Sequence, residues 1–423
     1  MRDTGWVRGR SARVANDFVR RGWAPESMGC IASRIQIGSF REEDPVARAA
    51  CPFDLRARTI LLGVSGSRAQ GLAGPDSDVD LRGVAVAPPG VLLGFHQRFE
   101  QADQAQDMSV FAGLLTAGER CVAERTKLEG SVYALAKFVR LCADCNPNMV
   151  ELLFCRDTEL RLCTEVGTRL REAAPLFLSQ KAGQTFTGYA MGQLKRIEGH
   201  RHWLLRPPAG PPTRAQFSLP ERTLLPREQL LAADAEVRKK LDGWSVDWGP
   251  LPGSEIQRLE DRLAGFMSEL LRAGESRWHL AARAVGLDDN LVEVMDRERR
   301  YRAAQRNWEQ YRTWKRQRNP ARAALEAEFG YDTKHGAHLI RLLRMGLEIV
   351  QTGEVHVWRG GIDGEELKAI RRGAWSYEAL VSQARAQTQQ LRSLLEEGRS
   401  PLPAKPDLDG LNRLVVQLTT CML

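Results

Sequence analysis

The chain has 423 residues, too many for one ordinary hydrophobic core, so its length predicts two or three domains. Hydrophobic residues make up 43% and charged residues 27%, as in soluble globular proteins, and no apolar run approaches the roughly 20 residues that a membrane-spanning helix needs. The N-terminal segment has charges but no apolar secretory signal, so we expect a cytoplasmic protein without a membrane partner.

The eight cysteines show no disulfide framework, which favours a reduced compartment. Cys142-x-x-Cys145, followed by Cys155 and Cys163, resembles part of a zinc site. A second CxxC pair is missing and no histidine lies nearby, so we interpret these residues as structural thiols.

The first 55 residues are predicted to be an extension that packs on the catalytic domain, with a strand-like alternation at 33–38 and a linker at 41–54. A strand follows from Ile60 to Val64, and the chain then turns through Gly66 and Ser67. A loop rich in glycine and proline leads to Asp78-Val79-Asp80 at the start of a second strand.

This stretch combines a turn suited to phosphate with a pair of carboxylates. Residues i and i+2 of a strand point to one face, so Asp78 and Asp80 lie side by side and repel each other unless a cation neutralises them. Paired carboxylates suit Mg²⁺ completed by substrate phosphates. The turn at Gly66-Ser67 leads into a helix start, whose amide groups suit a phosphate. Together these features indicate phosphoryl or nucleotidyl transfer.

Gly66-Ser67, ten residues, then Asp78-x-Asp80 is similar to the signature of the DNA polymerase beta-like nucleotidyltransferase superfamily. The longer pattern GSRAQG…SDVDLRGV resembles one branch, the predicted nucleotidyltransferases associated with RNA repair ligases. The alternative interpretation is a glycine-rich turn and an exposed acidic hairpin. The resemblance implies an α+β fold, in which a small mixed sheet with flanking helices precedes a mainly α-helical C-terminal domain. It also implies nucleotide binding by Gly66, Ser67 and Arg68, and two Mg²⁺ ions, with Mn²⁺ as a substitute.

The resembling family has a third carboxylate four residues before a tyrosine, and Glu129 fills that slot where the family usually has aspartate. The resemblance therefore predicts Asp78, Asp80 and Glu129 as metal ligands and catalytic residues. Glu124 is the nearby alternative, and a solvated surface role for Glu129 is a third interpretation. The KF…L…NPN…ELLF order of residues 137–154 also matches this family.

The remaining chain is predicted to be mainly helical. We place the catalytic domain at 56–165, a helical domain at 176–400 and a tail at 401–423. The apolar pattern predicts helices over 187–197, 253–272, 365–370 and 377–394, a helix pair over 280–327 broken near Asp288, and a short strand at 355–358.

A helix after Tyr331 resembles the family's YDxKxxxHLxRLL pattern. Lys334, His338 and Arg341, with Glu348 further on, fall on one polar face of it. We predict that these three basic residues contact the triphosphate or RNA phosphates.

The charge excess of the chain lies in one segment. Residues 297–322 carry ten basic and two acidic residues, a net charge of +8 that equals that of the whole chain. Tyrosine and tryptophan residues alternate with these cations, which is typical of a surface for single-stranded nucleic acid. Alternatively, the rings are buried under arginine stems. The predicted RNA-binding residues are Arg299, Arg300, Arg302, Arg306, Trp308, Arg312 and Lys315.

These patterns predict a Mg²⁺-dependent nucleotidyltransferase that moves a nucleoside monophosphate from a nucleoside triphosphate to a hydroxyl and releases pyrophosphate. The resemblance implies RNA, including tRNA, as the acceptor. A second hypothesis has a protein partner as acceptor, as in AMPylating toxin–antitoxin nucleotidyltransferases. A third is a catalytically weak RNA-binding module.

Overall fold

The computed structural model describes residues 51–74, 77–126, 128–222 and 285–423, together with a few residues between 228 and 282. The predicted extension up to residue 50 and the predicted helix at 253–272 lie outside the described residues. The described residues belong to one compact unit. None of the described helices is long and apolar enough to cross a membrane.

The N-terminal half is built on a mixed five-stranded sheet, as the sequence predicted. Its strands are β1 (Thr59–Val64), β2 (Asp80–Ala85), β3 (Gln101–Ala102), β4 (Glu129–Ala134) and β5 (Leu160–Cys163). Their order is β3-β4-β2-β1-β5; β2 and β4 run parallel, and the other neighbours are antiparallel. All six residues of β1 are buried, which fits their near-continuous apolar sequence.

Short helices flank the sheet. They are α1 (Leu55–Arg58), α2 (Gly66–Ala69), α3 (Pro89–Leu92), α4 (Ala105–Ser109), α5 (Ala117–Arg125), α6 (Leu135–Ala143), α7 (Pro147–Phe154) and α8 (Glu165–Glu172). The chain turns between α6 and α7 at Asn146-Pro147, where Asn146 caps α7 and its side chain accepts a bond from the amide of Asn148 at 3.1 Å.

Long helices form the second half of the described chain. They are α9 (Lys181–Leu205), α10 (Asp289–Gln317), α11 (Pro320–Phe329), α12 (Thr333–Thr352), α13 (Gly364–Arg371), α14 (Tyr377–Glu396) and α15 (Leu408–Thr420). The centre of their core is α12, whose buried leucines pack with α9, α13 and α14.

The predicted strand at 355–358 is wrong. This stretch joins no sheet of the described structure. Gly353 ends α12 in the left-handed conformation, and the chain then runs to the catalytic half. There the amide of Arg359 donates to the carbonyl of Gln70 at 2.9 Å.

The predicted tail at 401–423 completes the core of the catalytic half. Helix α15 packs on α6 and α8, and its Leu411 and Leu418 are buried in one cluster with Ile60 and Phe138.

Candidate active site

The turn at Gly66 is shaped around Asp80. Gly66 has a φ of +61°, and a Cβ at this position would lie 3.1 Å from Asp80 Oδ2. The preceding amide, of Ser65, donates to the carbonyl of Asp80 at 2.8 Å. Glycine is therefore required both by the backbone conformation and by the close approach of a carboxylate.

Three carboxylates meet at the ends of β2 and β4. Asp80 is in register with Glu129 on the parallel neighbour, so Glu129 lies on the strand next to that of Asp80. Asp78 and Glu129 are exposed, whereas Asp80 is half-buried. Burial raises the pKa of Asp80, and the charges of Asp78 and Glu129 raise it further, against Arg82 and Lys334. Such crowded hard oxygen ligands fit Mg²⁺.

The alternative residue, Glu124, lies on α5 and is not on either of these strands. The ligand roles of Asp78, Asp80 and Glu129 remain predictions.

Arg68 holds the loop that carries Asp78. Its guanidinium donates to the carbonyls of Ser77 at 2.6 Å and Asp78 at 3.0 Å. These bonds fix the approach to the carboxylate pair. The predicted nucleotide contact of Arg68 stays a prediction.

A cavity of about 660 Å³ joins this turn to the helical half. Gly66, Ser67, Asp78 and Asp80 line one side, and α9, α11, α12 and α13 contribute the other side. The basic residues that line the cavity are Arg196, Arg322, Lys334, His335, His338, Arg341, Lys368 and Arg371. The sequence analysis missed Arg322, His335, Lys368 and Arg371 as residues of this site.

Three of these cations repel one another. Desolvation and the charges of Arg322 and Arg371 lower the pKa of Lys334, opposed by Asp78 and Asp80. Among the described residues, neither Arg322, Lys334 nor Arg371 forms an ion pair with a carboxylate. Beside the carboxylates of Asp78 and Asp80, the cavity therefore holds three cations that form no ion pair among the described residues, and such cations suit a polyanionic ligand.

Arg341 was predicted to contact phosphate, but in the structure its guanidinium pairs with a carboxylate. Its side chain is 1% exposed, and Nη1 lies 2.5 Å from Glu151 Oε1. Gln70 donates to the other oxygen of Glu151 at 3.0 Å, which ties α2 to this pair. The phosphate contact of Arg341 stays a prediction. The bonds of Arg341 indicate that this residue positions α2, α7 and α12.

His338 lines the cavity as a neutral imidazole. Burial and the adjacent Arg341 lower the pKa of His338 well below its usual range. Arg341 Nη2 lies 3.0 Å from His338 Nδ1, and arginine only donates. The ring proton is therefore on Nε2, where it can donate to a ligand.

A second cavity, of about 350 Å³, lies on the other side of Asp80 and is lined by Glu129, Ser131 and Asp103. Asp80 thus borders both cavities. Asp103 was missed by the sequence analysis because it follows a strand of only two residues, which has no recognisable alternation.

The aromatic residues of α10 pack against one another. Ring centroids of Trp308 and Tyr311 are 5.7 Å apart, those of Tyr311 and Trp314 are 5.9 Å apart, and Trp203 of α9 lies 5.6 Å from Trp314. This arrangement favours a structural role for the rings, which was the alternative interpretation.

The predicted RNA-binding cations of α10 fall into two groups. Arg299 and Arg300 pair with Asp296 at 2.8 and 2.9 Å, and Lys315 lies 6.0 Å from the ring of Tyr311. The second group contains four arginines of α10. With 3.6 residues per turn, they fall within about one third of the helix circumference, opposite the rings of Tyr311 and Trp314. This group consists of Arg302, Arg306, Arg312 and Arg316, and none of these forms an ion pair with a described residue.

Beside the first cavity, ligand atoms of His200, Glu326 and Asp332 lie within 4.8 Å of one another. Arg318 pairs with Glu326 at 2.5 Å, and His335 pairs with Asp332 at 2.6 Å. Since Glu326 already pairs with a guanidinium and Asp332 already bonds to an imidazole, we interpret this group as a buried hydrogen-bond network and not as a metal centre.

A glycine-serine turn packed on a strand carboxylate, with a further carboxylate on the parallel neighbour of a small mixed sheet, defines a polymerase beta-like nucleotidyltransferase domain. Residues 40–204 match the family model described as the RNA repair pathway DNA polymerase beta family, RlaP. This match confirms the branch that the sequence resembles, and the family is one of nucleotidyltransferases. No curated protein and no solved structure gives a significant match to the chain.

Proposed function

We propose that this nucleotidyltransferase transfers a nucleoside monophosphate from a nucleoside triphosphate to a hydroxyl of RNA, in a Mg²⁺-dependent reaction that releases pyrophosphate. The observation that carries this proposal is the first cavity, which has Asp78 and Asp80 on one side and the unpaired cations Arg322, Lys334 and Arg371 on the other. A nucleoside triphosphate has the charge and the size for such a space.

Asp78, Asp80 and Glu129 are the residues that would hold Mg²⁺, which when bound neutralises phosphate charge during transfer. Gly66 and Ser67 bind the phosphates from the sheet side. Lys334 and His338 bind them from α12, with Lys334 as a charge and His338 as a neutral donor. Arg341 keeps α12 and α7 in place. The protein acts mainly by positioning and by charge neutralisation.

The acceptor approaches through the second cavity, because Asp80 and Glu129 border it and Asp80 is shared with the nucleotide cavity. The second cavity is lined by carboxylates, so it takes the hydroxyl end of the acceptor and not its phosphates.

The outer arginines of α10 support RNA as the acceptor. Arg302, Arg306, Arg312 and Arg316 form a one-sided basic surface, and the chain continues from it through Asn319 to Arg322, both of which line the nucleotide cavity. A phosphate backbone bound on this surface leads to the active site. Binding of this kind acts through charge and does not require base stacking on Trp308.

The direct test incubates the protein with each labelled nucleoside triphosphate, with and without Mg²⁺. The acceptors are single-stranded RNA with a 3′-hydroxyl, the same RNA with a 3′-phosphate, and tRNA. Mass spectrometry then locates the label, and Asp80→Asn is the inactive control. We expect label on RNA that has a free hydroxyl. Label on protein alone would establish the AMPylating alternative, and no label on any acceptor would reject the proposal.

RNA binding is tested separately by its salt dependence. On single strands the log–log slope is about −0.7 per neutralised phosphate. Replacing Arg302, Arg306, Arg312 and Arg316 by glutamine should weaken binding and flatten this slope. Arg385→Gln with Arg392→Gln, which removes exposed arginines of α14, is the control and should change neither. Equal slopes in all variants would show that the α10 surface does not bind RNA.

A further inference from the structure

We propose that His335, held by Asp332, is the general acid that protonates the pyrophosphate leaving group. This inference rests on the proposed function, since it assigns a further catalytic residue to the nucleotidyl transfer. It is drawn from the geometry of the α12 N-terminus and from the charges that surround it.

Asp332 fixes the imidazole of His335 at two points. Its Oδ1 accepts the backbone amide of His335 at 3.0 Å, and its Oδ2 lies 2.6 Å from His335 Nδ1. Asp332 is 1% exposed, and the bond to His335 is the first cause that lowers its pKa against the effect of burial. The carboxylate is therefore ionised and orients a ring whose other nitrogen can react.

The other ring nitrogen of His335, Nε2, lies on the side of the nucleotide cavity. His335 lines the nucleotide cavity, and its Nε2 lies 3.3 Å from Nη1 of Arg196, an exposed side chain that also lines the cavity. Since arginine only donates, Nε2 accepts here and Nδ1 carries the ring proton. Without a ligand, the ring is thus a neutral base toward the cavity and a donor toward Asp332.

Arrival of a triphosphate changes this balance. Arg196 and His200 of α9, the N-cap Asp332 and His338 of α12 lie beside the ring of His335. Next to these groups, the charges of Arg322 and Glu326 of α11 act on Asp332, and the charge of Lys334 acts on His338. The phosphates offset these cations and give Arg196 a new acceptor, and the imidazole then takes up a proton from water at Nε2.

The position of His335 among the cations assigns it to the leaving group. Arg322, Lys334 and Arg371 mark the end of the cavity that receives the phosphates, whereas the acceptor enters through the cavity beside Glu129. In an in-line reaction, the acceptor and the leaving group lie on opposite sides of the α-phosphorus.

In the proposed step, the acceptor oxygen forms a bond to the α-phosphorus while the bond to the bridging oxygen breaks. The electron pair of the broken bond stays on the bridging oxygen, and that oxygen takes the proton from Nε2 of His335. The proton of the acceptor hydroxyl passes to water on the Glu129 side. His335 is neutral again when protonated pyrophosphate leaves, and Asp332 stays ionised as a positioning residue.

The kinetic test uses His335→Gln, which keeps an N–H donor but cannot transfer a proton. General acid catalysis contributes about 10²–10⁴-fold, so we expect kcat to fall by about 10²-fold or more and the alkaline limb of its pH profile to disappear. Asp332→Asn keeps the helix cap but removes the anion, so the alkaline limb should move to lower pH. His202→Gln, on an exposed position of α9, is the matched control.

Triphosphate analogues identify the step. A β,γ-difluoromethylene bridge makes the leaving group less basic, and a β,γ-methylene bridge makes it more basic. Relative to the wild type, His335→Gln should lose least activity with the difluoromethylene analogue and most with the methylene analogue. An equal loss with both, together with an unchanged alkaline limb, would overturn the proposal and leave His335 with a structural role.

A measurement without turnover separates this inference from the proposed function. In ¹⁵N-histidine NMR at neutral pH, we expect His335 to change from the Nδ1–H tautomer to imidazolium when Mg²⁺ and pyrophosphate are added, whether or not any acceptor is labelled. A ring that stays neutral with pyrophosphate bound, or a failure of pyrophosphate to bind, would overturn the proposal even if transfer to RNA occurs.

Discussion

The bond between Arg341 and Glu151 gives a quantitative prediction, because the sequence and the structure assign Arg341 different roles. Arg341→Met removes one partner of a buried pair whose side chains are 1% and 6% exposed. Glu151 then keeps only the amide of Gln70, and His338 Nδ1 loses its donor. Breaking such a pair costs about 3–5 kcal/mol, a large share of the roughly 5–15 kcal/mol that stabilises a native protein.

The assay is urea denaturation of three variants, with nucleoside triphosphate binding measured on the folded proteins. We expect Arg341→Met to lose about 3–5 kcal/mol of unfolding free energy. Glu151→Met combined with Arg341→Met should recover part of this loss, because no charge stays buried alone. Arg385→Met, an exposed change on α14, should lose under about 0.5 kcal/mol.

A different pattern would refute this structural role. If Arg341→Met kept its unfolding free energy and lost only triphosphate affinity, Arg341 would be a phosphate ligand as the sequence analysis predicted. If the double variant were less stable than Arg341→Met, the loss of unfolding free energy would not come from a carboxylate left buried without its partner.

Three further predictions concern the carboxylates and the aromatic cluster. Asp80→Asn should abolish transfer. The pKa of Asp80 is raised in the folded protein, so the unfolding free energy of the wild type falls as the pH rises from the pKa of the unfolded state toward that of the folded state. In denaturation experiments from pH 3 to 8, Asp80→Asn should lack this loss and be at least as stable as the wild type at pH 7. Glu129→Gln should require more Mg²⁺ for half-maximal rate and Glu124→Gln should not; the reverse would place the third ligand on α5. Trp308→Ala should lower the melting temperature, at a cost of about 1–3 kcal/mol, below that of a fully buried ring; unchanged melting with weaker RNA binding would restore the stacking hypothesis.

The sequence predicts the arrangement of residues that lie close together along the chain. Gly66, Asp78 and Asp80 lie within 15 residues, and the strand pattern alone places the carboxylates beside the turn. The slot of Glu129 follows from the family resemblance, and in the structure this residue begins a strand that leads directly into an amphipathic helix.

The phosphate-facing half of the cavity could not be predicted in this way. The periodicity of α12 shows which side of it is polar, but not which polar residue meets a partner from another element. Arg341 pairs with Glu151, 190 positions away, whereas Lys334 lies among the charges of Arg322 and Arg371 and of the carboxylates Asp78 and Asp80. Arg322 and Arg371 come from separate helices, and they join the site through tertiary packing that no local pattern encodes.

The contact of α15 with the sheet half has a consequence for the order in which the chain folds. Arg58 Nη1 donates to the carbonyl of Met422 at 2.7 Å, across a separation of 364 residues. Leu411 and Leu418 cover apolar surface that β1, α6 and α8 would otherwise expose to water. Contacts so distant in sequence form late, so the sheet half remains incomplete during synthesis until residues 408–422 have emerged. The apolar core of the sheet half is therefore closed only after α15 has been synthesised and has packed on α6 and α8.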